Sequence, residues 1–244
     1  MATPVLKVIT EYCSIMIEDI NLDALASENM PLYARRMWAY LQAAIPNFTT
    51  PSGVIPYLLG TPDSPKLVEP VYGSFQYITA EDLTEDKVIA LGESGKGHEL
   101  FCCRIETIGN FDRVIMVPTN LAKYDSENGT VTLTASADSP IPKGTIFDMD
   151  FYTDGYFKED LSAEIMRILG LCFQVIWQTR FNNDWLSNVS KVEDRSFSEQ
   201  NRANKEKVDT ERLEKYKSDL NSAMRAFERN LAIRKHIPSG TGLI

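Results

Sequence analysis

Residues 165–177 read IMRILGLCFQVIW, and the way that run must be covered decides the fold. It is apolar nearly all round, and a helix of that kind is buried on more than one side. At 13 residues, with Gln174 inside it, the run is too short to cross a bilayer. It belongs to a longer stretch, 157–236, that reads as two long helices, 157–189 and 196–236, joined by a short polar link. Asp154-Gly155 breaks the preceding strand. Glu159 and Asp160 then place acids in the first turn, where the helix dipole favours them. The second helix is polar on nearly every face over 199–212, with Val208 its one large apolar residue. Leu213, Leu220 and Phe227 follow at seven-residue steps, with Tyr216, Ala223 or Met224, and Leu231 between them. So short a stripe does not make a free coiled coil; it predicts antiparallel packing on 157–189.

Working outward, residues 5–20 carry Val5, Val8, Ile9, Tyr12, Cys13, Met16, Ile17 and Ile20 at three- and four-residue steps, which predicts one amphipathic helix. A polar break at 21–23 precedes a second helix from Asn29, a plausible N-cap, to about Ala44, with Pro31 in its first turn. Prolines at 46, 51, 56, 62, 65 and 70 predict an extended connection over 46–70. Its apolar residues Val54, Ile55, Tyr57, Leu58 and Leu59 need cover from this chain or from a neighbouring copy. Residues 71–152 hold short β-rich runs separated by turns at 109–112, Asn128-Gly129 and 141–144, the pattern of a small barrel or sandwich. The run 145–152 alternates Phe147, Met149 and Phe151 with Asp148, Asp150 and Tyr152, which predicts a half-buried antiparallel strand with its acids outward. The expected fold is α+β: N- and C-terminal helices in one helical layer, with an antiparallel β domain inserted between them. The expected segments are 1–45, the arm 46–70, the β domain 71–152, the helix pair 153–237 and a tail 238–244.

The net charge of −9 is uneven: residues 195–235 hold 11 Lys/Arg against 7 Asp/Glu. An acidic body with one mildly basic helix lacks the dense basic face that phosphate-backbone binding needs. It suits head-to-tail contact between copies, basic helix against acidic body. Cys13, Cys102, Cys103 and Cys172 show no CxxC spacing and read as reduced, mostly buried thiols. The N-terminal residues show no basic-then-apolar signal pattern. No membrane role is expected.

Gly92-Glu-Ser-Gly-Lys-Gly resembles a phosphate loop, but Ala90 stands where its first glycine belongs and Gly97 where Ser or Thr must follow the lysine, so it reads as a flexible hairpin tip. Asp148, Asp150 and Asp154, with Glu159 and Asp160 nearby, are oxygen ligands that could gather a divalent cation. An acidic strand face and an acidic helix start explain them equally well, and no metal or cofactor is assigned. His98 and His236 have no partner at zinc-ligand spacing. No nucleophile elbow or Cys/His pairing is present, and no catalytic residue is assigned. Trp177, Phe181 and Trp185 recur at four-residue steps, either as a core edge or as a subunit-contact patch, since large aromatics anchor interfaces. Lys205, Lys207 and Arg212, on the polar part of the last helix, are the candidate charged contacts.

The segment 151–157 entering the helix 161–186, the charged helix 198–235 and the arm 46–70 together resemble, in organisation, the head-to-tail connector or neck proteins of tailed bacteriophages. That resemblance implies a virion structural protein, not an enzyme, assembled in the host cytoplasm. Its partners would be copies of itself in a ring and adjacent neck, portal or tail proteins. Genome DNA would pass through the lumen without sequence-specific binding. A cytosolic ligand- or peptide-binding module, with helices that dimerise, remains the alternative.

Overall fold

The computed structural model describes residues 2–17, 19–108, 114–189 and 198–236, with side chains over 2–17, 19–106, 116–182 and 207–232. The helices are α1 Val5–Val8, α2 Ile20–Glu28, α3 Met30–Ala44, α4 Val54–Leu59, α5 Ala163–Val189 and α6 Ser198–His236. The strands are β1 Thr3–Pro4, β2 Gly60–Thr61, β3 Ser64–Pro65, β4 Leu67–Val68, β5 Val71–Ile78, β6 Lys87–Ala90, β7 Leu100–Ile108, β8 Val114–Pro118, β9 Ala122–Asp125, β10 Thr130–Leu133, β11 Ile146–Thr153 and β12 Tyr156–Phe157. All strand pairings are antiparallel, and the fold is α+β. The chain divides into a helical unit, Met1–Glu18, Trp38–Val68 and Tyr156–Ile244, and a β unit, Asp19–Met37 and Glu69–Gly155. No described helix is long and apolar enough to cross a membrane.

In the helical unit α5 is the central element. Ile165, Met166, Ile168, Leu169, Leu171, Cys172, Phe173 and Val175 are all buried, as the all-round apolar run requires. The α6 stripe covers one side, with Leu220, Met224 and Phe227 at 5%, 4% and 5% exposure. Asn230 Nδ2 donates to Glu164 Oε1 at 3.0 Å near the start of α5, and Asn182 Nδ2 donates to the Asp209 carbonyl at 3.3 Å toward its end. These two bonds make the pair antiparallel. Before the stripe begins, Val208 is 51% exposed, in keeping with a segment that has little to bury. The stretch 46–70 is not an extended arm. Gly53 and Gly60 take positive φ and bracket α4, β2 and β3 form a tight hairpin, and β4 joins β12 and β1 in a small sheet. Phe48 and Leu58 are fully buried, and Phe48 lies 6.0 Å from Phe227. The prolines break regular structure into short pieces without removing the apolar residues' need for cover, and this chain supplies that cover.

The β unit is a sandwich with a helical cover. Its four-stranded sheet runs β5-β11-β7-β8 and its three-stranded sheet β6-β10-β9. Phe147, Met149 and Phe151 of β11, Cys103 of β7, Val131 and Leu133 of β10 and Ile89 of β6 share one core. The loop Gly92–Gly97 is tied down and not a free hairpin tip. Gly97 N–H donates to the Ser126 carbonyl at 2.9 Å, and Tyr124 hydroxyl donates to the Gly95 carbonyl at 2.6 Å. His98 is 7% exposed, with Nε2 2.9 Å from the Ser94 carbonyl and Nδ1 2.8 Å from Thr153 Oγ1. A carbonyl only accepts, so Nε2 carries a proton and donates it to Ser94. Residues 81–87 form no helical turn. Leu83 instead bridges Ile141, with backbone bonds of 2.9 Å in both directions.

The largest correction concerns β11. Its second face, expected to meet water, holds Asp150 at 2% and Tyr152 at 1% exposure. The residues 19–37 belong to this unit, not to the helical layer, and they supply the cover. Asn29 Nδ2 donates to Asp150 Oδ2 at 2.6 Å, Cys102 Sγ donates to the Glu28 carbonyl at 3.2 Å, and the Arg35 guanidinium lies 4.4 Å from the centre of the Tyr72 ring. Tyr72 hydroxyl and Arg104 Nη2, the latter at 3.1 Å, also donate to the Asp150 carboxylate. A carboxylate with three donors is a satisfied buried acid and not an outward strand face. Asp148 accepts from Gln76 Nε2 at 2.9 Å, so both strand acids considered for a cation accept from this chain's own donors.

Candidate subunit-contact cleft

The first helix does not run through to Ile20 as its periodicity predicts. After α1 the backbone takes a π-helical turn over Ile9–Cys13 and a 3₁₀ turn over Ser14–Met16, and Ile17 is extended at φ −129°. Thr10 and Ser14 hydroxyls donate to the carbonyls four residues back, Leu6 at 2.9 Å and Thr10 at 2.7 Å. Such back-bonding competes with the helical ladder and bends it. Gly170 of α5 accommodates the altered backbone: a Cβ there would stand 2.5 Å from the Tyr12 carbonyl oxygen. The Met16 carbonyl, left without a helical donor, accepts from Gln174 Nε2 at 2.8 Å.

This ending opens a cleft of about 550 Å³ lined by Ile15, Met16, Ile17, Gln174, Trp177, Gln178, Phe181, Arg212 and Tyr216. Trp177 is half-buried. Tyr40 meets it edge-on at 4.9 Å, and the Arg180 guanidinium lies 4.9 Å from the Tyr40 ring centre. Those contacts hold the indole as a rigid wall. Gln178 Nε2 donates to Asn182 Oδ1 at 2.7 Å, and with the Asn182–Asp209 bond this positions α6 across the opening. Ile15 is 68% and Phe181 45% exposed. Aromatic and aliphatic surface beside an arginine, at the rim of a preformed opening, is the chemistry of an interface anchor point.

Of the six residues chosen from sequence, Trp177, Phe181 and Arg212 converge on this cleft. Lys207 does not line it; its Nζ lies 3.9 Å from Glu211 on the exposed side of α6. Trp185 and Lys205 lie outside the residues whose side chains are described. The lining residues Ile15, Gln178 and Tyr216 were not anticipated. Gln174, a polar residue inside an apolar run, was the legible signal, because its amide needs a partner that a helix face does not offer.

Burial holds the thiols of Cys13, Cys103 and Cys172 protonated. Burial, and then the neighbouring Cys172, pushes the Cys13 thiol far above its ordinary value, and burial pushes Cys172 and Cys103 up to about 12. All four cysteines are free. Thiols held protonated are poor nucleophiles and poor metal ligands. Comparison of the chain with protein-family models, with curated proteins and with solved structures returned no match.

Proposed function

We propose that this chain is a non-enzymatic structural subunit of a tailed-bacteriophage neck, forming a homo-oligomeric ring that links neighbouring virion components. The observation that carries the assembly part of this reading is the cleft, where Trp177, exposed Phe181 and Ile15, and Arg212 stand together at a rigid opening. The phage part draws on the organisational resemblance alone. The charge distribution supports contact between copies: the β unit holds 18 Asp/Glu against 8 Lys/Arg, and α6 holds 10 Lys/Arg against 7 Asp/Glu. An acidic surface lining a channel would also repel passing DNA.

The test is location and mass. The protein is expected in purified particles, at a copy number matching a ring, and Phe181→Ser with Arg212→Glu should lower that incorporation while the far-ultraviolet circular dichroism stays unchanged. A chain that is absent from particles, stays monomeric and binds a small molecule would sink the reading. That outcome would favour a ligand-binding module, for which one observation speaks. A second, largely apolar cavity of about 410 Å³, walled by Val54, Ile165, Phe227 and Leu231, falls in the size range of ligand sites.

A further inference from the structure

The four-stranded sheet of the β unit ends in strands that are not protected in the usual way. Proteins guard sheet edges with charges, proline or short strands, because unpaired amides and carbonyls recruit other strands. The three-stranded sheet follows that rule: its edge strands, β6 and β9, are four residues each and carry Lys87, Lys123 and Asp125. The four-stranded sheet does not. Its edge β5, VYGSFQYI, is eight residues long without a charge, and its other edge β8, VIMVP, is also uncharged and has proline only as its last residue. Val71, Phe75 and Ile78 on β5 are 57%, 36% and 53% exposed, and Val117 on β8 is 44% exposed.

The two edges are complementary in direction. Four strands paired antiparallel leave β5 and β8 running opposite ways. The β5 of one copy can therefore add antiparallel to the β8 of the next and continue the alternation. The side chains also match by face. Val117 pairs with Ile105, Ile105 with Phe147, and Phe147 with Tyr77, which places Val117 on the sheet face that carries Val71 and Phe75. Within a unit of net charge −10, these uncharged edges are where two acidic copies can meet without opposing like charges.

We infer that β5 of one copy pairs with β8 of the next, a head-to-tail sheet extension between subunits. The occupant of each edge is a second copy of this chain. Contacts of this kind are heterologous and close into rings when the rotation permits. The inference rests on the ring reading above and deepens it.

The experiment measures the mass of the purified full chain by native mass spectrometry and its fold by circular dichroism. Phe75→Lys and Val117→Glu, each alone, should abolish the oligomer at a concentration where the wild type is assembled. The double variant, which places Lys and Glu on the same face of the joined sheet, should restore it. Val71→Lys replaces Phe75→Lys if the latter loses its β signal. Rings that persist in both single variants overturn the strand pairing and leave the ring reading standing. A double variant that stays dissociated overturns it equally. A wild type that never assembles overturns the strand pairing, and the ring reading then stands or falls on incorporation into particles.

Discussion

Asp150 and the cleft at Trp177 both set polar and aromatic groups side by side, and they end differently. Around Asp150 the chain supplies nearly everything: Asn29, Tyr72 and Arg104 donate to one carboxylate, and among the described side chains only Arg104 Nε is buried without a partner. At the cleft the chain supplies the walls and leaves Phe181 and Ile15 uncovered. A closed cluster acts on stability. An open one adds little to stability and is available for association. Substitutions at the first should therefore unfold the protein, and substitutions at the rim of the second should spare the fold.

Asp150→Ala tests that contrast most severely. It leaves Arg104 and Tyr72 facing an empty, desolvated site, and breaking a buried pair from one side costs about 3–5 kcal/mol. Urea titration should show that loss, and a change below about 1 kcal/mol would mean that the cluster does not hold the residues 19–37 to the sheet. Gly170→Ala comes next. Its Cβ would meet the Tyr12 carbonyl at 2.5 Å, against backbone that cannot swing aside as a side chain does, and overpacking of this kind costs about 1–3 kcal/mol. The same variant should reshape the cleft through Met16, so a loss of association that accompanies full stability would be unexpected.

Alkaline pH probes the closed interior. Burial raises the Cys103 and Cys172 thiols from 9.0 to about 12, and burial followed by the nearby Asp154 raises the Tyr152 hydroxyl above its ordinary 10.0. Each group stays protonated in the folded chain after the unfolded chain has released its proton. Stability is thus whole below pH 9 and falls as pH climbs from 9 toward 12. The slope is about 1.4 kcal/mol per pH unit for each group past its unfolded value. A flat stability curve from pH 8 to 11 would show these groups to be wetter than their burial implies. The smallest expected effect is Phe181→Ser, within about 0.5 kcal/mol of wild type in the same titration, because the ring is already half in water.

Much of the helical unit was readable beforehand for a simple reason. A run such as 165–177 is apolar but for Arg167 and Gln174, so any fold must bury most of it, and the stripe Leu213, Leu220 and Phe227 has one face to offer as cover. The cleft was readable in part. Trp177 and Phe181 stand out as large aromatics, and Gln174 as a polar residue in apolar company. Ile15 gave no warning, because its exposure depends on a turn that departs from α-helical spacing. The same limit applies to 46–70, where proline spacing announced the breaks but not the partners.

Local periodicity determined that α3, α5, α6 and β11 are regular elements, since side-chain spacing is a property of neighbouring residues. It also determined that α5 and the core face of β11 are inside. Only tertiary structure decided what covers the second face of β11, because Asp148, Asp150 and Tyr152 alternate in the same way whether water or Asn29 and Arg35 face them. Tertiary structure also decided where the first helix stops. The π turn at Ile9–Cys13 depends on a glycine about 160 residues later in the chain, and no local pattern records that approach.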